Sequence, residues 1–541
     1  MKVSLSFVAV TAVLIPCFSA QAEVWNLPAG GTWNAEASWT PATIPSAIGA
    51  NATFNNALTG SNPAQTGNRT VTTDAAQTVG SIQFNNSADS ANTFTNSITA
   101  GSSGSLILDA VDAGPATINV SAAVNNTGNN TISAPMTLTD DLVATVDNIS
   151  ATSAAGALNL TATISGPGGF TKLGDGLATF GTGLKTYTGA TVLSGGRFRM
   201  SLTARPTATS SFTINAGAQL DLITTGVYTF GSGPLNLNGN GAVTGPFSPF
   251  PGAIRNDTNL EATITNSVVL QSNTLIHVQG AATGSTTLSG NVSGVGQLAF
   301  IASNSDNNLG KLVLTGTNSY EGGTLSRGGT LIAGAASITA FGTGNVTIQS
   351  GGAIFGGATS KLTIETGATN AINDLATLSL AGSLTPDGIA NDGYADLGTD
   401  INETVGALIL GGTAYTLPGT YGSASSGADH QFDEFFAGLG KISLAAVASV
   451  PGDFNGNGSV DAADYVLWRK GGPLQNEVSN SGTVDDQDYL DWRARFGNPT
   501  PGSGSGLETA GGVPEPATLS LVGLAVALIG ILRRRRVALH A

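Results

Sequence analysis

The sequence predicts an all-β chain of repeated short strands, followed by a small helical domain with calcium loops and a C-terminal apolar helix. From residue 23 to 446, short runs alternate apolar and polar residues at period two between Gly, Asn, Asp and Ser, as in strands buried on one face. Two windows in this region, 176–198 and 310–331, are imperfect copies of each other. A later segment, GDFNGNGSVDAADYVLWRKGG at 452–472, instead spaces acidic and amide residues like an EF-hand loop.

The composition restricts the classes of partner. Only 10% of the 541 residues are charged, and the formal net charge is −15. Because phosphate backbones repel such a chain, we expect no nucleic-acid partner. The length is sufficient for more than one domain.

The N-terminal residues 1–22 have the pattern of a secretory signal peptide. Lys2 supplies the positive charge, LSFVAVTAVLI the apolar centre, and AQA at 20–22 the small-residue cleavage site, so we expect the mature chain to begin near Glu23. The one cysteine, Cys17, lies within this segment. The alternative of a lipoprotein anchor at Cys17 is disfavoured, because Pro16 stands where a small residue is required.

The two copied windows share turn residues at fixed offsets. In each, a tyrosine (Tyr187 or Tyr320) precedes a Gly-Gly pair by eight and nine residues, and an apolar strand follows. Such repetition predicts a solenoid, in which each unit buries its apolar face only by stacking on its neighbours. The windows resemble the autotransporter-associated β-strand repeat. This resemblance implies a right-handed parallel β-helix over residues 23–448.

Three tryptophans, Trp25, Trp33 and Trp39, lie at the start of this region. A solenoid needs its ends covered, so we interpret them as an aromatic N-terminal cap. The alternative is a platform on which sugars stack.

The segment that begins at Asp453 predicts a calcium site. Calcium prefers six to eight oxygen ligands, alternate side chains of the loop converge on one point, and Gly458 permits the sharp turn. The candidate ligands of this first loop are Asp453, Asn455, Asn457, Ser459, Asp461 and Asp464. The loop runs directly into a short helix on which Tyr465 and Trp468 share one face.

A second copy of the loop and helix follows further along the chain, where GTVDDQDYLDWRARFG aligns with GSVDAADYVLWRKGG. Its candidate ligands are Glu477, Asp485 and Asp488, while serines replace two expected Asp or Asn ligands. Calcium in this second loop therefore remains an open alternative. The duplicated unit at 451–498 resembles the type I dockerin, which implies calcium as cofactor and a cohesin-like partner, often in polysaccharide-degrading systems.

The chain ends with a linker at 499–512 and a tail at 513–541. Val-Pro-Glu-Pro, an apolar segment at 517–532 and an Arg cluster follow one another in the tail. This order resembles the PEP-CTERM sorting signal, which implies an exosortase-type processing enzyme. We expect a transmembrane helix at 517–532 that anchors the chain to the membrane until it is processed. A permanent anchor is the alternative.

A catalytic constellation is not readable in the sequence. We expect His277 to face solvent, and His430 to lie in a solvated acidic loop with Asp429, Asp433 and Glu434. The best acidic groupings are Asp140 with Asp141, and the series Asp387, Asp392, Asp396 and Asp400.

The sequence thus predicts a non-enzymatic exported protein of the cell surface or extracellular matrix. We expect a β-helical stalk or adhesin with a calcium-dependent docking module and an exopolysaccharide as a further partner. The alternative is a polysaccharide lyase or hydrolase, or its dockerin-bearing subunit.

Overall fold

The computed structural model describes residues 22–55, 67–85, 94–112, 114–121, 128–147, 157–242, 251–257, 259–279, 284–303, 310–351, 359–385, 390–444, 450–456, 458–480 and 482–498. The chain divides into two compact units between residues 446 and 447. The predicted signal peptide, linker and transmembrane segment lie outside the described residues. Within the described ranges, no helix has the length and apolar content that a membrane crossing requires.

The described strands are mostly short, and the described α-helices belong to the second unit. In chain order the strands are β1 Ala22–Trp25, β2 Gly31–Thr32, β3 Trp39–Thr40, β4 Asn51–Asn55, β5 Arg69–Thr73, β6 Ala76–Val79, β7 Ser81–Asn85, β8 Asn96–Ala100, β9 Ser105–Leu108, β10 Ala116–Val120, β11 Asn130–Ile132, β12 Met136–Leu138, β13 Leu142–Val146, β14 Leu158–Leu160, β15 Ile164–Ser165, β16 Phe170–Leu173, β17 Leu177–Phe180, β18 Thr191–Leu193, β19 Gly196–Met200, β20 Phe212–Ile214, β21 Ala218–Leu222, β22 Gly226–Tyr228, β23 Leu235–Gly239, β24 Ile254–Asn256, β25 Glu261–Ile264, β26 Val268–Gln279, β27 Ser285–Leu288, β28 Val292–Gly294, β29 Leu298–Ser303, β30 Lys311–Leu314, β31 Thr324–Ser326, β32 Gly329–Ala333, β33 Val346–Ile348, β34 Ser360–Ile364, β35 Thr377–Leu380, β36 Tyr394–Leu397, β37 Asn402–Val405, β38 Ala407–Leu410, β39 Thr413–Tyr415, β40 Gly419–Gly422, β41 His430–Gln431, β42 Phe436–Gly438 and β43 Lys441–Leu444. The helices are α1 Ala462–Arg469 and α2 Asp486–Arg495.

The first unit is built from parallel strand pairs. A strand pairs with the strands two or three positions before and after it in the chain: β7 pairs with β4 and β10, and β13 pairs with β10 and β16. The described strand pairs are parallel except near the two ends of the unit, where β1 pairs antiparallel with β3, β38 with β39, and β40 with β43. The all-β prediction is confirmed for this unit, and its parallel sheets are compatible with the predicted β-helix.

The core consists of side chains stacked in register on successive strands. Ile82, Ile118 and Ala144 occupy equivalent positions on β7, β10 and β13, and all three are buried. Their alternation with half-exposed residues gives the period-two pattern of the sequence. The apolar side chains are therefore removed from water by stacking on those of the paired strands, because a single strand cannot bury them by itself.

The three N-terminal tryptophans form a closed cap. Trp25, Trp33 and Trp39 are each at most 1% exposed, and Trp39 Nε1 donates to the Trp33 carbonyl oxygen at 2.8 Å. All three rings lie about the ring of Phe54, which stacks on Phe84 with ring centroids 5.5 Å apart. The burial of all three rings is compatible with the cap interpretation, and it contradicts a sugar-stacking platform, which requires exposed ring faces.

The two copied windows adopt the same local structure. Tyr187 and Tyr320 are fully buried, and each hydroxyl hydrogen-bonds a threonine four residues later, at 2.7 Å to Thr191 and 2.5 Å to Thr324. The second glycine of each pair has a positive φ, 59° at Gly196 and 82° at Gly329, which a residue with a Cβ adopts only with strain. The residues that the two windows share therefore form the same turn in each window.

Lys172 lies inside this apolar stack. Lys172 is the in-register neighbour of Ala144, is fully buried, and donates to the carbonyl oxygens of Gly176 and Gly195, each at 2.6 Å. Burial lowers the pKa of Lys172 to about 7, with Asp175 and Asp147 acting in the opposite direction. The backbone carbonyls thus satisfy an amine that the core otherwise disfavours.

We expect the free energy of unfolding to rise as the pH increases above 7. The unfolded lysine keeps its proton to about pH 10.4, whereas folded Lys172 loses it near pH 7, so each pH unit between adds about 1.4 kcal/mol at most. Urea unfolding at pH 7, 8 and 9 measures this slope. Lys172→Met should make this slope shallower, while buried Lys185, whose pKa burial also lowers to about 7, supplies the remaining rise. Lys311→Met, at an exposed position of β30, should leave the slope unchanged. Equal slopes in the wild type and Lys172→Met would contradict the assignment.

Candidate metal centre

The second unit contains two loops that each lead into a helix. Asp461 is the N-cap of α1 and Asp485 the N-cap of α2, and each accepts a hydrogen bond from the backbone two residues later. The side chains of Asp464 and Asp488, at the third helical position, accept the N–H of the respective N-cap, which completes a capping box. The helices therefore begin at the same point of each copy.

The first and last carboxylates close the first loop. Asp453 Oδ2 accepts the Gly458 N–H at 2.7 Å, and Asp464 Oδ1 and Oδ2 accept the N–H groups of Asn455 and Asp461 at 2.9 and 2.8 Å. Gly458 has a φ of 87°, the left-handed conformation that the turn position requires. The structure thus brings predicted residues of the first loop into one compact turn.

The second loop repeats this pattern. Glu477 accepts the N–H of Gly482, just as Asp453 accepts that of Gly458 in the first loop. Asp488 Oδ2 accepts the Asp485 N–H at 2.8 Å, and the side-chain amide of Asn480 donates to Asp485 at 3.2 Å. Glu477 therefore takes the place of the first aspartate despite its longer side chain.

The carboxylates among the predicted ligands do not form a tight group. Among the described residues, no three His, Cys, Asp or Glu side chains converge closely enough to hold a metal ion by themselves. Asn457 lies outside the described residues. Calcium draws its oxygens from amide, carbonyl and carboxylate groups together, so carboxylate convergence alone does not decide the assignment.

The residues present nevertheless fit a divalent cation. Asp464 and Asp488 are fully buried, and neither has an ion-pair partner among the described residues. Asp488 Oδ1 is also buried without a hydrogen-bond partner in the described part of the chain. Burial raises the pKa of Asp488, and Glu477, Asp485 and Asp491 raise it further. A bound cation would supply the missing positive charge.

The two copies are joined by reciprocal hydrogen bonds. Trp468 Nε1 on α1 donates to the Asp485 carbonyl oxygen, and Trp492 Nε1 on α2 donates to the Asp461 carbonyl oxygen, both at 2.8 Å. Trp468 and Trp492 each pack against both Tyr465 and Tyr489, with ring centroids 5.1 to 5.7 Å apart. Each helix therefore holds the loop of the other copy, which the sequence indicated only through its repeated DYxxWR motif.

The acidic residues considered for catalysis cap the backbone of neighbouring strands. Asp140 accepts the Ala110 N–H at 2.8 Å, and Asp141 accepts the Gly169 N–H at 2.6 Å. In the acidic series, Asp392 accepts the Ser360 N–H at 2.6 Å and Asp396 pairs with Lys361 at 3.2 Å. Asp387 lies outside the described residues.

The two histidines considered for catalysis also have backbone partners. His430 lies within 3.4 Å of the Pro418 carbonyl oxygen and packs on Tyr421, while Asp429 accepts the Thr420 N–H. His277 faces away from Ile276 as expected, but the prediction that it faces solvent is wrong. Its ring is fully buried, because the segment that contains Pro251 covers this face of the strand. Nδ1 lies 2.8 Å from the Pro251 carbonyl oxygen, and Nε2 lies 2.5 Å from the Ser303 hydroxyl.

The comparison with known families identifies the tail. Residues 512–536 match the PEP-CTERM protein-sorting motif, which confirms the predicted sorting signal. No curated protein and no solved structure matches the chain. The motif indicates an exported, surface-directed protein that an exosortase-type enzyme processes.

Proposed function

Because a sorting motif directs this chain to the cell exterior, we propose that it is a non-enzymatic structural or adhesive protein of the cell surface. Its first unit is a parallel β-helix that serves as a stalk. Its second unit is a calcium-dependent docking module, and its tail is removed after export. Calcium is held by oxygens of the first loop and, where the second loop is also loaded, by those of Glu477, Asp485 and Asp488.

The non-enzymatic assignment is supported by the hydrogen bonds that the acidic side chains accept from the backbone. Asp140, Asp141 and Asp392 each accept backbone N–H groups at the ends of neighbouring strands or in the turns beside them, at 2.6 to 3.0 Å. A general acid or nucleophile must direct its carboxyl group at a substrate, whereas these carboxylates stabilise the stack. The stalk assignment is supported by parallel partners on both sides of successive strands.

The docking assignment is supported by a repeated exposed surface. Val466 on α1 is 47% exposed, and Leu490, which occupies the equivalent position on α2, is 52% exposed. Both positions are followed by an arginine three residues later, Arg469 and Arg493, at the C-terminal ends of the helices. A cohesin-like partner would find the same combination of apolar and basic groups twice.

A screen of the purified full-length protein tests the choice between a structural protein and an enzyme. We expect no depolymerisation of polygalacturonate, alginate, xylan or dextran, with or without calcium, measured by release of reducing ends and of unsaturated uronates. Depolymerisation that is lost in Asp140→Asn/Asp141→Asn but kept in the exposed control Asp486→Asn would establish the enzyme instead.

A further inference from the structure

A ladder of polar and charged side chains crosses four neighbouring strands of the first unit. Arg199 on β19, Asp221 on β21, Arg255 on β24 and His277 on β26 are consecutive partners in register. They lie on the strand face opposite to core residues such as Phe198, since successive side chains alternate between faces. Arg197 and Asp257, two residues away from Arg199 and Arg255, extend the ladder on the same face.

Ion pairs connect these side chains. Asp221 is fully buried and pairs with Arg197, with Arg255 Nη1 at 3.1 Å, and more distantly with Arg199 Nε at 3.8 Å. Asp257 pairs with Arg199 Nη2 at 3.2 Å and Arg255 Nη2 at 3.3 Å. We name Arg197, Arg199, Asp221, Arg255 and Asp257 the Arg199 cluster.

The Arg199 cluster carries more positive than negative charge. Its three guanidinium groups face two carboxylates, which leaves one positive charge in excess within the cluster. The chain as a whole has a net charge of −15, so this is a local reversal of sign. Buried Asp221 is already shared by several arginines, so it does not neutralise a further guanidinium fully.

Arg199 is the most exposed arginine of the Arg199 cluster. Its side chain is 29% exposed, compared with 9% for Arg197 and 5% for Arg255. Its Nε is buried and has no hydrogen-bond acceptor among the described residues. Because the buried Nε cannot reach a ligand in solvent, the outer edge of this planar guanidinium would meet the paired oxygens of a carboxylate or sulfate group, and its neighbours hold it in place.

We propose that the Arg199 cluster binds a carboxylate or sulfate group of an acidic polysaccharide. The sorting motif directs the protein to the cell exterior. The carboxylate and sulfate groups of acidic polysaccharides are of the kind that a guanidinium group binds. Because the overall charge repels a polyanion, recognition must be local, and binding is moderate in affinity and weakened by salt. The inference deepens the proposed surface role by naming the partner chemistry, and its failure would leave the outcome of the depolymerisation screen unchanged.

Binding of the full-length protein to immobilised polygalacturonate and dextran sulfate tests the proposal, with neutral dextran as the reference polymer. Arg199→Gln should weaken polyanion binding about tenfold, because it removes a charged hydrogen-bonding group. Arg199→Lys should be intermediate, since it keeps the charge but loses the planar fork. Lys311→Gln, the same change of charge at an exposed position of β30, should alter binding by less than about twofold.

Thermal unfolding separates binding from folding in these variants. Arg199 is partly exposed, so Arg199→Gln should keep the melting temperature within about 2 °C of the wild type. The proposal fails if neither polyanion binds better than neutral dextran, or if Arg199→Gln and Lys311→Gln have equal effects. Free galacturonate or inorganic sulfate that binds as tightly as the polymers would overturn the assignment to a polysaccharide.

Discussion

Asp464→Ala is expected to abolish calcium binding by the first loop. Both oxygens of Asp464 accept backbone N–H groups that close the loop, and the carboxylate occupies the last ligand position. The variant loses one negative ligand and the closure of the loop together, so we expect the affinity of this site to fall by about 100-fold or more. Isothermal titration of the full-length protein with calcium chloride measures the loss.

Three further variants separate ligand loss from helix capping. Asp464→Asn keeps the shape of the side chain and part of the capping, yet it should still weaken binding by about tenfold because a charge is lost. Asp488→Ala should have a smaller effect, since the second loop lacks two of the usual ligands. Asp486→Ala removes an exposed carboxylate from the first turn of α2 and should leave calcium binding unchanged. Calcium binding by Asp464→Ala that equals the wild type would exclude the assignment.

The short helix and the turn of the first loop could be predicted because both depend on residues close together in sequence. Positions 1, 3, 6 and 12 of the first loop are Asp453, Asn455, Gly458 and Asp464. The hydrogen bonds from Gly458 to Asp453 and from Asn455 to Asp464 follow from that spacing. The reciprocal bonds of Trp468 and Trp492 could not be predicted in the same way. They depend on how two copies pack against each other, and periodicity within one helix determines only the face on which each ring lies.

The strands of the first unit could be predicted, but the surroundings of their outer faces could not. The alternation of side chains along the strand correctly predicted that His277 points away from Ile276. It does not predict whether another segment of the protein covers that face, as happens at His277. The Arg199 cluster could not be predicted from the sequence either. Unequal lengths of chain separate Arg199, Asp221 and Arg255, because the connections between paired strands differ in length, so no fixed spacing marks them as neighbours. Register, which the sequence leaves undetermined here, brings them together.

The mature protein is expected to lack its C-terminal apolar segment. As a helix, the 16 residues of 517–532 would be about 24 Å long, somewhat shorter than the hydrocarbon core of about 30 Å. The arginines at 533–536 favour the cytoplasmic side, which leaves Pro514-Glu515-Pro516 near the outer boundary of the membrane. A membrane-embedded processing enzyme can reach the chain there, consistent with the matched sorting motif.

Mass spectrometry of cell-surface and membrane fractions from the producing cells measures this processing. We expect peptides up to the linker at 499–512 and none from residue 517 onward in the surface fraction. Glu515→Ala should shift the protein to the membrane fraction with its tail intact, because it changes the central residue of the motif without altering the apolar segment or the arginines. The exposed control Glu321→Ala, far from the tail in sequence, should be processed like the wild type. Abundant surface protein that still carries residues 519–533 would show a permanent anchor instead of a sorting signal.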